Sequence, residues 1–185
     1  MLHAVVGTSL GGMMALDFAV HWPDRVANVI TIGTGIRSHG LQQMHNLEQI
    51  IAITRDPEFR GGDYYGTPGP VHGLALARMI SHKTFLYADV IEERARVDIV
   101  RPESDLPWYD ISSSLESYML YQGQKFVRRF DANSYLRIID AWQQFDLYKD
   151  AKHSGWQPLF GHCKDQQYLV FTIDSDCCFY PDYQT

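Results

Sequence analysis

The tightest constraint on this chain lies in its first thirty-two residues. An apolar run, Leu2 to Val6, breaks at Gly7, a helical pattern follows from Leu10 to Val20, and a second apolar run spans Val26 to Ile32. Pro23 cannot continue a helix, so the helical pattern ends in His21-Trp22-Pro23-Asp24-Arg25. Two strands joined through a helix rather than a tight turn are expected to pair in parallel. At the junction of the first strand and the helix stands Gly7-Thr8-Ser9-Leu10-Gly11, a G-x-S-x-G arrangement. That spacing suits a serine perched on a sharp strand-to-helix turn with strained dihedrals, with glycines on both sides letting the backbone pass close to itself. The Leu10 N–H at the helix start would face an oxyanion developing next to Ser9.

Downstream the pattern changes. Gly40 to Arg55 reads as a helix, Pro57 to Pro70 as a loop, Val71 to Tyr87 as a helix, and Arg94 to Pro107 as a polar loop. Leu115 to Arg129 and Ser134 to Leu147 read as amphipathic helices with aromatic faces. Tyr168 to Ile173 (YLVFTI) is strand-like and ends in Asp174-Ser175-Asp176. The layout is α/β at both ends, residues 1–37 and 165–185, with a helical insertion over 38–164 that would form a lid. Two or three strands are few for a parallel sheet, which leads us to expect further strands upstream and further chain downstream.

Composition narrows the function classes. The 185 residues are 45% hydrophobic and 21% charged, with a formal net charge of −6 and a pI near 5.7. An acidic balance disfavours nucleic acid and anionic membrane surfaces. No segment reads as a signal peptide or a membrane span, so a cytoplasmic location is expected. Three cysteines, Cys163, Cys177 and Cys178, without C-x-x-C spacing argue against a disulfide framework and a zinc site. His39 and His45 have no third ligand at suitable spacing, so no metal is expected.

Several blocks, in order along nearly the whole chain, resemble the homoserine O-acetyltransferases and their serine and homoserine O-succinyltransferase relatives. They are VVGTSLGGMMALDFAVHWPDRV (5–26), DPEFRGGDYYG (56–66), GLALARMISH (73–82), SYMLYQGQKFVRRFDANSYL (117–136) and FTIDSDCCFYP (171–181). The resemblance implies an α/β-hydrolase fold and a ping-pong O-acyltransferase of methionine biosynthesis. Acetyl-CoA or succinyl-CoA would acylate Ser9, and the hydroxyl of L-homoserine, or L-serine, would take the acyl group. By motif position Asp176 would be the triad acid, with Asp174 its competitor, Leu10 would give a backbone oxyanion donor, and Arg78 would bind the substrate carboxylate. Acyl-CoA enters as co-substrate, no cofactor is implied, and a homodimer is.

Two departures stand out. The family commonly places a tyrosine seven positions after that arginine, where this chain has Phe85. Its triad runs Ser…Asp…His, and no histidine follows Asp176 here. His153 and His162 precede Asp176, the wrong order for the base. The resemblance therefore implies a piece lacking N-terminal strands and the catalytic histidine, inactive by itself. Two other readings remain open: an esterase on the same fold, and a truncated non-catalytic remnant.

Among the remaining residues, Arg128, Arg129 and Asp131 read as a helix junction with buried ion pairs. Tyr118, Tyr121, Phe126, Phe130 and Tyr135 read first as packing between helices or at a dimer face, with an acyl-CoA contact as the alternative. Cys177-Cys178 read as buried beside the strand end.

Overall fold

The strand–helix–strand reading holds in the computed structural model, which describes residues 1–95, 108–150, 152 and 155–184. Strand β1 (Leu2–Thr8), helix α1 (Leu10–His21) and strand β2 (Val26–Ile32) follow one another with only a short 3-10 turn, Pro23–Arg25, before β2. β1 pairs in parallel with β2, and β2 pairs in parallel with β3 (Gln167–Phe171), giving the order β1-β2-β3. The described residues divide into two compact units, 1–43 with 140–185, and 44–139.

In the sheet unit the register sorts the side chains by face. Val5, Val29 and Tyr168 stand in one cross-strand row, and Val6, Ile30 and Leu169 in the next. Because side chains alternate across a strand, these rows point to opposite faces. Val5 and Val29 join the core made with Ala15, Leu16, Ala19 and Val20 of α1. The other face is apolar and open: Val6, Leu169 and Phe171 are each about half exposed or more. Parallel sheets are normally covered on both faces.

The boundary of the helical insertion differs from the expected 38–164. The unit break falls at 43/44 and 139/140, inside helices α2 (Gly40–Thr54) and α6 (Ala132–Gln144). Residues 140–164 belong with the sheet, because the chain turns back there. Asp146 caps the short helix α7 (Leu147–Asp150), accepting from Tyr148 N at 3.1 Å and Lys149 N at 3.3 Å, while Leu147 N donates to Ile36 O at 2.9 Å. Leu147, Leu159 of helix α8 (Trp156–Phe160) and Cys163 then complete the sheet unit's core.

The helical unit is built from α2 onward, α3 (Val71–His82), α4 (Ala88–Ala95), α5 (Ser114–Val127) and the start of α6. Helix α3 ends five residues before the expected Tyr87. Arg94, expected in a loop, lies in the last turn of α4, and residues 96–107 lie outside those described. Asp56 latches this unit: its Oδ1 accepts from Glu58 N at 2.9 Å and its Oδ2 from Gly73 N at 2.7 Å, a carboxylate at the positive end of α3. Ile53, Leu74, Ala77, Phe126 and Ala132 are its buried centre, with Tyr64. Phe126 stacks on Phe130, and Tyr135 meets both edge-on, so these aromatic residues pack between helices. Among the described residues, no helix is long and apolar enough to cross a membrane.

The expected ion pairs at the α5–α6 junction do not form among the described residues. Arg128 and Arg129 are exposed. Asp131 instead caps α6 through Ser134 N at 2.7 Å and takes the Tyr64 hydroxyl. Burial, and then the bond to Asp131, push the Tyr64 hydroxyl up to about 12.

Candidate active site

Serine is a common helix N-cap because its hydroxyl accepts from the first turn. Ser9 occupies that position without capping: φ is 51° and ψ −125°, and no side-chain cap bond forms. A positive φ costs a non-glycine residue of order 1–3 kcal/mol, and surrounding bonds must over-determine it. They do. Ser9 N donates to Ile32 O at 3.0 Å, extending the β1–β2 ladder past its end. Ser9 O accepts from Gly12 N at 2.9 Å, Met13 N at 3.2 Å and Thr34 Oγ1 at 2.7 Å. The backbone is pinned on both sides, and the Ser9 side chain is left exposed. Leu10 N is the first amide of α1 and has no intrahelical carbonyl to meet.

The glycines divide differently from the motif's symmetry. A Cβ on Gly7 would lie 2.0 Å from Gly11 O, and one on Gly12 would lie 2.6 Å from Thr34 Cγ2. A Cβ on Gly11 meets nothing within 4 Å. The close approach therefore needs Gly7 and Gly12, not Gly11. Gly7→Ala is expected to cost about 3 kcal/mol through forced backbone displacement, and Gly11→Ala to stay within about 1 kcal/mol of the parent. Denaturation midpoints of the two variants check this, and equal midpoints would contradict it.

Asp176 follows β3, and its loop is tied down. Its Oδ1 accepts from Cys178 N at 2.7 Å and Phe179 N at 2.8 Å. Asp176 Oδ2 would lie 3.1 Å from a Cβ built on Gly33, the residue that ends β2 with φ 52°. The loop is clamped by Gln184, which exchanges bonds with Ile173 and donates to Phe179 O, and by Gln42 Nε2, which donates to Cys178 O at 2.7 Å. Phe179 is buried and stacks on Trp142 at 5.6 Å. Asp174 is exposed and takes no part in these bonds.

Ser9 and Asp176 thus hang from the same, C-terminal end of the sheet. Thr8, Ile32 and Phe171 form its last paired row, and Gly33 N donates to Phe171 O at 3.0 Å. Two strand spacings separate β1 from β3, about 10 Å, which leaves room for an imidazole to bridge a hydroxyl and a carboxylate. His162 is committed elsewhere, its Nε2 being 2.8 Å from Val20 O, and His153 lies outside the described residues. Cys177, expected to be buried, is exposed, its Sγ 3.6 Å from Ser175 O. Cys178 is half-buried.

In the helical unit, Arg78 of α3 is half-buried. Its guanidinium carbon lies 5.1 Å from the Phe126 ring centre and 5.5 Å from that of Phe85. Its Nη2 is 3.3 Å from His82 Nδ1, and His82 Nε2 is 3.1 Å from the Tyr118 hydroxyl. No carboxylate pairs with Arg78 among the described residues. Burial, and then the Arg129 charge, hold the Arg78 pKa below its usual value. Burial first, then Arg78 and Arg94, lower that of His82. Thr34 was not singled out from the sequence, and neither His82 nor Tyr118 was read there as a partner of Arg78. His82 stands one helical turn after Arg78, the spacing from which their contact could have been read.

No cluster of three or more His, Cys, Asp or Glu fit to hold a metal occurs among the described residues. A parallel sheet with a crossover helix, a strained serine at the end of one strand and a loop-held aspartate past another define an α/β architecture. A family model for the alpha/beta hydrolase fold matches residues 2–184, and the chain belongs to that family. It is similar to the homoserine O-acetyltransferase of Desulfotalea psychrophila, with 38% identity over 183 residues, 99% of this chain and 46% of that protein. It is also similar to the homoserine O-succinyltransferase of Magnetococcus marinus, with 39% identity over 185 residues, 96% of this chain and 46% of that protein. The chain spans about half the length of these curated relatives.

Among solved structures, the homoserine O-acetyltransferase from Bacillus anthracis superposes with a TM-score of 0.84 at 24% identity, over 98% of this chain and 48% of that one. Esterase E22 superposes at 0.81 and 22%, over 99% and 49%. At those identities the two structures share the fold with this chain.

Proposed function

We propose that this chain carries the nucleophile and the acid of a CoA-dependent O-acyltransferase, which moves an acetyl or succinyl group from acyl-CoA to the hydroxyl of L-homoserine in methionine biosynthesis. The observation that carries the reading is Ser9: an N-cap serine held at φ 51° with its hydroxyl excluded from capping. Transfer rather than hydrolysis is favoured by the sequence likeness. Relatives at 38–39% identity across nearly the whole chain are named acyltransferases, whereas the esterase likeness stands at 22% and is one of fold.

In this mechanism a base takes the Ser9 proton as Oγ attacks the thioester carbonyl. The Leu10 N–H stabilises the oxyanion that forms. The carbon–sulfur bond breaks, CoA leaves as its thiol with the proton returned by the base, and Ser9 is left acylated. The homoserine hydroxyl then gives its proton to the base and attacks the ester. Ser9 departs with that proton, and O-acylhomoserine is released. Asp176 Oδ2 holds the base in the needed tautomer while Oδ1 is fixed by the two amides. Arg78 clamps the acceptor's carboxylate through paired N–H donors. We assign the base to the part of the family that this chain does not span. We place the enzyme in the cytoplasm, in keeping with an acyl-CoA donor, and the family likeness favours a homodimer.

The test uses the full-length protein with acetyl-CoA or succinyl-CoA, with and without L-homoserine, reading free thiol. Release that depends on homoserine is expected. Release indifferent to homoserine would support an esterase and overturn the reading.

A further inference from the structure

Arginine has no lone pair to offer, so in the Arg78–His82 contact at 3.3 Å the imidazole Nδ1 must accept. That fixes the tautomer: the ring proton sits on Nε2, which donates to the Tyr118 hydroxyl 3.1 Å away. The ring is buried, as is Tyr118, so the pair is held by packing as well as by its bonds. On its flanks the guanidinium faces Phe126 and Phe85.

The choice of partner has a consequence. A carboxylate beside Arg78 would orient it equally well but would neutralise it and compete with any incoming anion. A neutral imidazole orients the guanidinium and leaves its whole positive charge uncommitted. We infer that His82 and Tyr118 are positioning residues for acceptor recognition: Tyr118 fixes the His82 ring, and His82 fixes the Arg78 fork that receives the carboxylate of the hydroxy amino acid. The inference rests on the acyltransferase reading above. A neutral His82 at ordinary pH is supported by its burial and by the Arg78 and Arg94 charges near it. In such a relay, the pre-set fork spares the acceptor the ordering of a long flexible side chain.

Two substitutions separate positioning from bulk. His82→Asn puts an accepting oxygen near the place of Nδ1 and gives up the bond to Tyr118. His82→Gln reaches toward the place of Nε2 and gives up the acceptor for Arg78. In the full-length protein, His82→Gln is expected to raise the homoserine KM about tenfold, the size of one lost hydrogen bond to a charged group. The acetyl-CoA KM should stay within about twofold. His82→Asn should bring the homoserine KM back to within about threefold of the parent, and Tyr118→Phe should raise it to between the two. Ring nitrogen-15 shifts of the unsubstituted protein should show Nε2 protonated and Nδ1 bare.

Equal rises in both His82 variants, a parallel rise in both KM values, or a proton on Nδ1 would overturn the relay. Normal homoserine stimulation with an unmoved KM in His82→Gln overturns the relay alone. No stimulation of the unsubstituted protein by homoserine or serine overturns the acyltransferase reading, and the inference with it.

Discussion

Ser9→Ala in the full-length protein is expected to lower homoserine-dependent CoA release by roughly 10⁴- to 10⁶-fold, the range in which removal of a triad nucleophile falls. The protein should also no longer gain the mass of one acyl group when mixed with acyl-CoA alone. Folding should survive the change. The Ser9 side chain is exposed and makes no cap bond, and the bonds that hold the bend all involve its backbone N and O. Alanine at φ 51° keeps a strain similar to serine's, so the thermal midpoint should move little. Residual turnover within tenfold of the parent, or a mass adduct persisting in the variant, would remove Ser9 from the mechanism.

Asp176→Asn is expected to cost kcat on the order of 10⁴, the loss the same swap causes in a serine-protease triad. The geometry says why the carboxylate and not the loop is at stake. An asparagine can keep an oxygen where Oδ1 accepts from Cys178 N and Phe179 N. The other position becomes an NH₂ that donates, and it then favours the wrong tautomer of the base. Asp176→Ala should do worse in stability, because it strands two amides at about 1–3 kcal/mol. Asp174→Asn is the control, since Asp174 is exposed and outside the loop's bonds. A larger kcat loss from Asp174→Asn than from Asp176→Asn would exchange their roles.

What could be read from the sequence was what has a strong local signal. β2 matches its expected bounds, and β1 and α1 run only a little past theirs, because valine-rich runs and helical spacing abut a motif that tolerates only one local conformation. The positions of Ser9 and Asp176 just past strand ends were legible in the order of the apolar runs. Helix α4 was missed because ADVIEERA is short and charged, and its helicity owes more to its neighbours than to its own pattern. Helix α8 was missed because Pro158 sits inside it, tolerated in a first turn that needs no amide donor. The division of the described residues at 139/140 was not legible because the Leu147–Ile36 bond, which ties this segment to the sheet unit, joins residues far apart in sequence. The same holds for the Thr34–Ser9 bond, which spans 25 positions, and the His82–Tyr118 bond, which spans 36. No periodicity reports a partner at that range.

Strand β2 contributes no side chain to the proposed chemistry, yet its end is where the segments carrying Ser9 and Asp176 are fastened. Ile32 O receives Ser9 N, and Gly33 N reaches Phe171 O, with the Asp176 carboxylate beside Gly33. It acts as a spacer bar between the proposed nucleophile and acid. Changes in its buried face should therefore surface as turnover defects with unaltered substrate affinity, and a one-residue insertion within it should invert its faces and silence the enzyme. An engineer seeking variants would do best to randomise around this strand and leave its length alone.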